Sequence, residues 1–186
     1  ADAAIIVCSA KAGMSVGAEK AWKLCEQRRL PRLLYISKTD EDNSDYNATF
    51  EALRARFGNK IAPLVVPIWD EGKKVTGIID VLNKRAYEMQ NLKRVEIDVP
   101  ADKVSVIEEF NDALKEAVAE TDEALMDRFF EGGDFTYREM ITGLHQGVKD
   151  LSLFPVLCGS GLTCLGSLML MDNIIDLLPN PVQGNY

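Results

Sequence analysis

The sequence predicts an α/β fold interrupted by a small α+β block, and three observations predict it. Short apolar runs of strand type alternate with helical spacing over the first sixty residues. At about residue 61 this gives way to closely spaced strand patterns and then helices, and near residue 151 the strand, turn and helix pattern returns. The 186 residues, 47% hydrophobic and 27% charged, suit one core with a satellite.

Ala3–Cys8 is a continuous β-rich apolar run, the pattern of a strand buried on both faces of a parallel sheet. Ala18, Ala21, Trp22 and Cys25 then fall at i, i+3, i+4 and i+7 and predict a helix that ends before Pro31. Arg32–Ser37 is a second buried-strand run. Its following loop, Ser37-Lys38-Thr39-Asp40, stands where doubly wound folds place their ligands. Tyr46, Phe50, Leu53 and Phe57 predict the next helix, capped at Asn43 or Ser44 and stopped at Gly58.

Ile61–Trp69, Val75–Leu82, Arg85–Met89 and Arg94–Val99 predict a small antiparallel sheet, with Asp70-Glu71-Gly72 as one of its turns. Three helices should follow. Ile107, Phe110, Leu114, Ala117 and Val118 mark the first, and Leu125, Phe129 and Phe130 the second. Thr136-Tyr137-Arg138-Glu139 is a capping box opening the third. Leu153–Cys158 is again a buried-strand run, then the Gly159-Ser160-Gly161 turn and a helix with Leu168, Met171, Ile175 and Leu178 as its core face. Pro179-Asn180-Pro181 ends that helix as the exit to a linker.

Composition narrows the chemistry. A formal charge of −8 and a pI near 4.8 argue against a general basic surface for nucleic acid. No apolar run is long enough to span a bilayer, and a cytoplasmic protein is expected. Cys8, Cys25, Cys158 and Cys164 form no Cys-x-x-Cys pair and have no nearby His, so reduced, mostly buried thiols are expected rather than a metal site. His145 reads as a surface residue, Trp22 and Trp69 as core or shelf residues. Glu108, Glu109, Glu116, Glu120, Asp122 and Glu123 read as a solvated helix face. No catalytic residue and no metal ligand is predicted.

Ser37-Lys38-Thr39-Asp40 resembles the Asn-Lys-x-Asp guanine-recognition motif of GTPases, and Cys158-Gly159-Ser160-Gly161 resembles their Ser-Ala motif. A carboxylate such as Asp40 can accept both the ring N–H and the exocyclic amine of guanine, which adenine does not offer. The Lys38 stem can lie along the base. Beyond these loops the chain is similar to elongation factor G from Ala1 to about Pro181. The similarity runs through Ala1-Asp2-Ala3-Ala4, Glu19-Lys20-Ala21-Trp22, Leu30-Pro31-Arg32 and Ala119-Glu120-Thr121-Asp122. Its most specific parts are Pro67-Ile68, Gly77-Ile78-Ile79-Asp80, Phe130-Glu131-Gly132 and Pro155-Val156-Leu157-Cys158-Gly159-Ser160.

The resemblance implies a partial P-loop GTPase-type parallel sheet from residues 1–60 and 151–181, an inserted G′-like α+β subdomain over 61–150, and a tail at 182–186. It implies Ser37, Lys38, Asp40, Ser160, Gly161 and Leu162 as the guanine-nucleotide residues. It further implies GTP or GDP bound in a longer parent and a Mg²⁺ site outside this segment. The implied partner is the ribosome, including the acidic stalk protein of its large subunit through residues 61–150, without sequence-specific nucleic acid contact. Ser37 departs from the family's Asn and Gly161 from its Ala, and Ser37 should lose a contact. The chain has no Gly-x-x-x-x-Gly-Lys-Ser/Thr loop and no Asp-x-Pro-Gly-His segment, so by itself it is expected not to hydrolyse GTP. Ala3–Cys8 is then expected to leave an unprotected sheet edge.

Overall fold

A computed structural model describes residues 1–70 and 74–180. Eight strands and six helices follow in the order β1 (Ala4–Ser9), α1 (Val16–Gln27), β2 (Arg32–Ser37), α2 (Tyr46–Phe57), β3 (Ile61–Pro63), β4 (Val65–Trp69), β5 (Val75–Asp80), β6 (Arg85–Gln90), β7 (Lys93–Ile97), α3 (Val104–Ala119), α4 (Glu123–Phe130), α5 (Tyr137–Lys149), β8 (Phe154–Cys158) and α6 (Ser167–Leu177) among the described residues. They build two sheets, one parallel in the order β1-β2-β8-β3 and one antiparallel in the order β4-β5-β6-β7. The turn residues Glu71-Gly72 and the tail at 182–186 lie outside the described residues.

The parallel sheet is held by its central strands. β2 pairs with β1 on one side and β8 on the other, and Leu33, Leu34, Ile36, Val156 and Leu157 are essentially without solvent contact. Each such side chain contributes about 1.5–3 kcal/mol over an exposed one. Helix α1 starts at Ser15, whose hydroxyl accepts the Ala18 N–H, and buries Ala18, Trp22 and Cys25. The Trp22 ring stacks on Phe57 of α2 at 3.9 Å and meets the edge of Phe154 of β8 at 4.7 Å. Against both rings packs the buried guanidinium of Arg32, 3.9 Å from the Trp22 centroid and 4.3 Å from that of Phe154. Burial lowers its pKa from the usual range, and the two ring faces stand in for a carboxylate partner.

Three local expectations are corrected. The cap of α2 is Asp45, which accepts the Ala48 N–H at 2.9 Å, not Asn43 or Ser44. The run Ile61–Trp69 is two strands in two sheets: β3 pairs in parallel with β8, and β4 pairs antiparallel with β5. The chain changes sheets at Leu64, whose N–H donates to the Val156 carbonyl and whose carbonyl accepts the Val81 N–H. Both sheets bury this segment, so its apolar run shows no break. Strand β1 is buried on one face only: Ile6 and Cys8 face the core while Ile5 and Val7 are 37% and 55% exposed. Its outer edge has no partner strand among the described residues.

Helix α6 departs from its expected orientation. Leu168, Met171 and Ile175 are exposed, and the helix buries Met169 and Leu177 instead. Apolar residues cover more than half of its circumference, so their spacing leaves more than one face open to burial. Helix α4 fully buries none of its residues, and Phe130 is 78% exposed. Cys164 is exposed, whereas Cys8, Cys25 and Cys158 are buried and burial pushes their thiols up, so these three stay protonated.

The antiparallel sheet and helices α3 to α5 form the block between β3 and β8. Asn111 of α3 donates from Nδ2 to the Val81 and Leu82 carbonyls and fixes that helix to the end of β5. The capping box is present: the Thr136 hydroxyl accepts the Glu139 N–H while Glu139 accepts the Thr136 N–H. Arg128 of α4 also pairs with Glu139 at 2.6 Å. This guanidinium, then the Thr136 N–H and hydroxyl, hold the Glu139 carboxyl down at about 2. A depressed folded-state pKa gives stability that is present above the ordinary value near 4.5 and is lost as pH falls towards 2. Glu139→Gln should therefore lower the urea midpoint at pH 7, with the gap to the parent closing between pH 4.5 and pH 2.

Candidate functional site

Parallel pairing brings the loops after β1, β2 and β8 to one end of the sheet, the carboxyl end, where open α/β sheets bind ligands. Register aligns Ile36 with both Cys8 and Cys158, so the three loops leave at the same level. They are laced together. The Ala10 N–H donates to the Ser37 carbonyl at 2.8 Å, and the Asp45 N–H donates to the Ala10 carbonyl at 2.8 Å. Between the β2 and β8 loops, the Gly159 N–H donates to the Ile36 carbonyl at 3.0 Å and the Thr39 N–H to the Gly159 carbonyl at 3.4 Å.

Within the β2 loop, Ser37 donates its hydroxyl hydrogen to the Cys8 carbonyl at 3.1 Å, so this side chain is committed to the neighbouring strand. Lys38 takes φ 60°, the left-handed region that a non-glycine residue enters at a cost. Thr39 is 2% exposed, its hydroxyl has no partner, and its carbonyl accepts the Ser44 hydroxyl. The Asp40 carboxylate makes no hydrogen bond or ion pair with any described residue. Its neighbour Glu41 does the opposite: it pairs with Lys38 at 2.9 Å and with Lys11 of the β1 loop at 3.0 Å. Lys38 first, then Lys11, hold the Glu41 carboxyl below the usual carboxylate range.

In the β8 loop, Ser160 is fully buried and works on its own backbone. Its Oγ accepts the Leu162 and Thr163 N–H groups, each at 3.1 Å, and its N–H donates to the Leu165 carbonyl at 2.9 Å. The turn leaves the Gly161 N–H without a partner among the described residues and presents Leu162 at 85% exposure. No atom stands within 4 Å of a Cβ built on Gly161, and its φ is not positive. Gly161→Ala should thus change stability by no more than about 0.5–1 kcal/mol, in the stabilising direction, by urea unfolding.

Among the described residues the arrangement therefore offers an unpaired carboxylate, Asp40, an unpaired backbone donor, Gly161, and a lysine stem, Lys38, on touching loops. That set fits an edge presenting two N–H donors and one carbonyl oxygen. Ser37 and Ser160 serve the backbone rather than facing outward. Lys11, Thr39, Glu41 and Gly159 belong to the same cluster, and no local sequence pattern singles them out.

The Elongation factor Tu GTP binding domain family matches residues 1–180. The chain belongs to that family. Its domain is the guanine-nucleotide-binding unit of translational GTPases. A crystal structure of a protein from Thermus thermophilus superimposes with a TM-score of 0.89 and 36% sequence identity over 98% of this chain. This chain spans 27% of the length of that protein. Both sheets are covered by the match, so the fold is a GTPase-type α/β domain with an inserted subdomain. No helix among the described residues is long and apolar enough to cross a membrane.

Proposed function

We propose that this chain is the base-selecting half of the GTP-binding domain of an elongation factor G-like GTPase, cytoplasmic, whose parent drives translocation on the ribosome. The observation that carries the reading is that the half-buried Asp40 carboxylate and the Gly161 N–H, both without a partner among the described residues, lie on loops that leave adjacent parallel strands and are joined through Thr39 and Gly159. Asp40 would accept the ring N–H and exocyclic amine of guanine, and the Gly161 N–H would donate to its carbonyl oxygen. Lys38 would lie along the base, while Ser37 and Ser160 hold the two loops and Leu162 stands at the rim. The phosphates and Mg²⁺ would be held by residues other than these, and GTP hydrolysis would belong to the longer parent.

Isothermal calorimetry of the protein at its natural length tests this directly. GDP should bind at least a hundredfold more tightly than ADP, because a site built to accept two N–H donors leaves its carboxylate unpaired with adenine. Equal affinities would end the guanine reading.

A second reading, in which the chain acts chiefly as an interaction module with remnant nucleotide loops, is favoured by the Ser37 hydroxyl, which is spent on the Cys8 carbonyl. In either reading residues 61–150 would dock the acidic stalk protein of the large ribosomal subunit. Residues 101–150 carry thirteen acidic and five basic side chains, so the stalk surface that meets these helices must be locally basic. Binding measured by surface plasmon resonance should weaken steeply from 50 mM to 300 mM salt, mainly through the association rate. A deletion variant lacking 61–150 that still bound the stalk protein would remove this assignment.

A further inference from the structure

Two lysines reach the loop that carries the open Asp40 carboxylate, yet neither pairs with it. Lys38 is two residues from Asp40, and Lys11 reaches the same loop from the end of β1. Both ammonium groups are taken by Glu41, at 2.9 Å and 3.0 Å. The backbone supports this choice: the Glu41 N–H donates to the Lys38 carbonyl and the Ser44 N–H to the Glu41 carbonyl, forming a tight turn that holds Glu41 and Lys38 together. An unpaired carboxylate next to two free ammonium groups would pair with one of them, and a donor from a ligand would then have to displace it.

We propose that Glu41 is a positioning residue of the base-recognition loop, drawing Lys11 and Lys38 onto itself and so keeping the Asp40 carboxylate open for the base. This inference rests on the guanine reading above. It assigns a role to an ion cluster spanning two loops, of which Lys11 and Glu41 lie outside the recognition motif. The pairing also orients Lys38: with its ammonium held by Glu41, the methylene stem is drawn across the loop rather than swinging into solvent.

The test compares GDP with IDP, whose hypoxanthine base lacks the exocyclic amine, using the natural-length protein by calorimetry. In the parent, GDP should be favoured over IDP by at least tenfold, because Asp40 accepts both donors of guanine and one of hypoxanthine. In Glu41→Gln the released lysines compete for Asp40, and this preference should fall by about fivefold with GDP affinity falling more than IDP affinity. Adding Lys11→Ala to Glu41→Gln removes one competitor and should restore part of the preference. A merely structural role for Glu41 would lower both affinities equally and leave their ratio unchanged, which overturns the proposal. An unchanged GDP to IDP ratio in Glu41→Gln, in a parent that does prefer GDP to ADP, sinks this inference alone. No preference for GDP over ADP in the parent sinks the guanine reading beneath it. The lysines are exposed and Glu41 is half-exposed, so losing this ion pair should lower the urea midpoint only slightly at pH 7, and the ratio of affinities, not stability, reads the proposal.

Discussion

Asp40→Asn in the natural-length protein should cost about a hundredfold in GDP affinity, near 3 kcal/mol, and leave ADP binding unchanged. In the guanine reading the carboxylate would offer two acceptor oxygens to two N–H donors of the base, and each charge-assisted bond contributes about 1.5–3 kcal/mol. Asparagine keeps one acceptor and turns the other into an NH₂ group that opposes a donor. Because Asp40 makes no bond within the chain, its replacement should move folding stability by less than about 0.5 kcal/mol. Calorimetry and urea unfolding of the same variant therefore separate the two effects. A variant that unfolds earlier and binds GDP as before would mean that Asp40 serves the loop and not the base.

Gly159→Ala should cost about 3 kcal/mol of stability. A Cβ at this position would press on the Leu165 carbonyl oxygen, lie 2.5 Å from the Tyr35 hydroxyl and 3.2 Å from the Gly166 Cα. Two of those three atoms are backbone, and the third belongs to a buried ring that cannot swing away. Overpacking of this kind costs about 1–3 kcal/mol, and rigid neighbours place it at the upper end. The Gly159 backbone also joins the two loops, through Ile36 on one side and Thr39 on the other. Gly159→Ala should accordingly lower the urea midpoint and weaken GDP binding together, whereas Gly161→Ala, two residues on, should do neither. A Gly159→Ala midpoint within error of the parent would show that the loops have room to part.

The alternation of strand runs with helical spacing was enough to read the parallel sheet, because β2 and β8 are buried on both faces and carry nothing but large side chains where the core needs them. Burial faces were harder to read. Leu168, Met171 and Ile175 share a stripe as good as the one that is buried, and only the position of the sheet decides between them. Leu64 sits in an apolar run that looks continuous because two sheets, not one, bury it. At the candidate site, Lys38, Asp40 and Ser160 stand out in the sequence because the patterns that carry them are local. Lys11 with Glu41, and Gly159 with Tyr35, are pairings that only the folded sheet creates. Arg32 shows the limit from the other side: charge in a sequence reads as surface, yet two aromatic rings bury it completely.

The pairing of Leu34 with Val156 has a consequence for the order in which the molecule assembles. Strands β4 to β7 are sequential neighbours joined by short turns, so their sheet closes through nearby contacts and forms quickly. The parallel sheet cannot follow that schedule, since β2 has to wait for a strand made only after the whole insert. Until then β1 and β2, with α1 and α2, lack the strand that completes their sheet. On a ribosome making this chain, the insert would be finished while the base-recognition loops were still apart, and the site would come into being last.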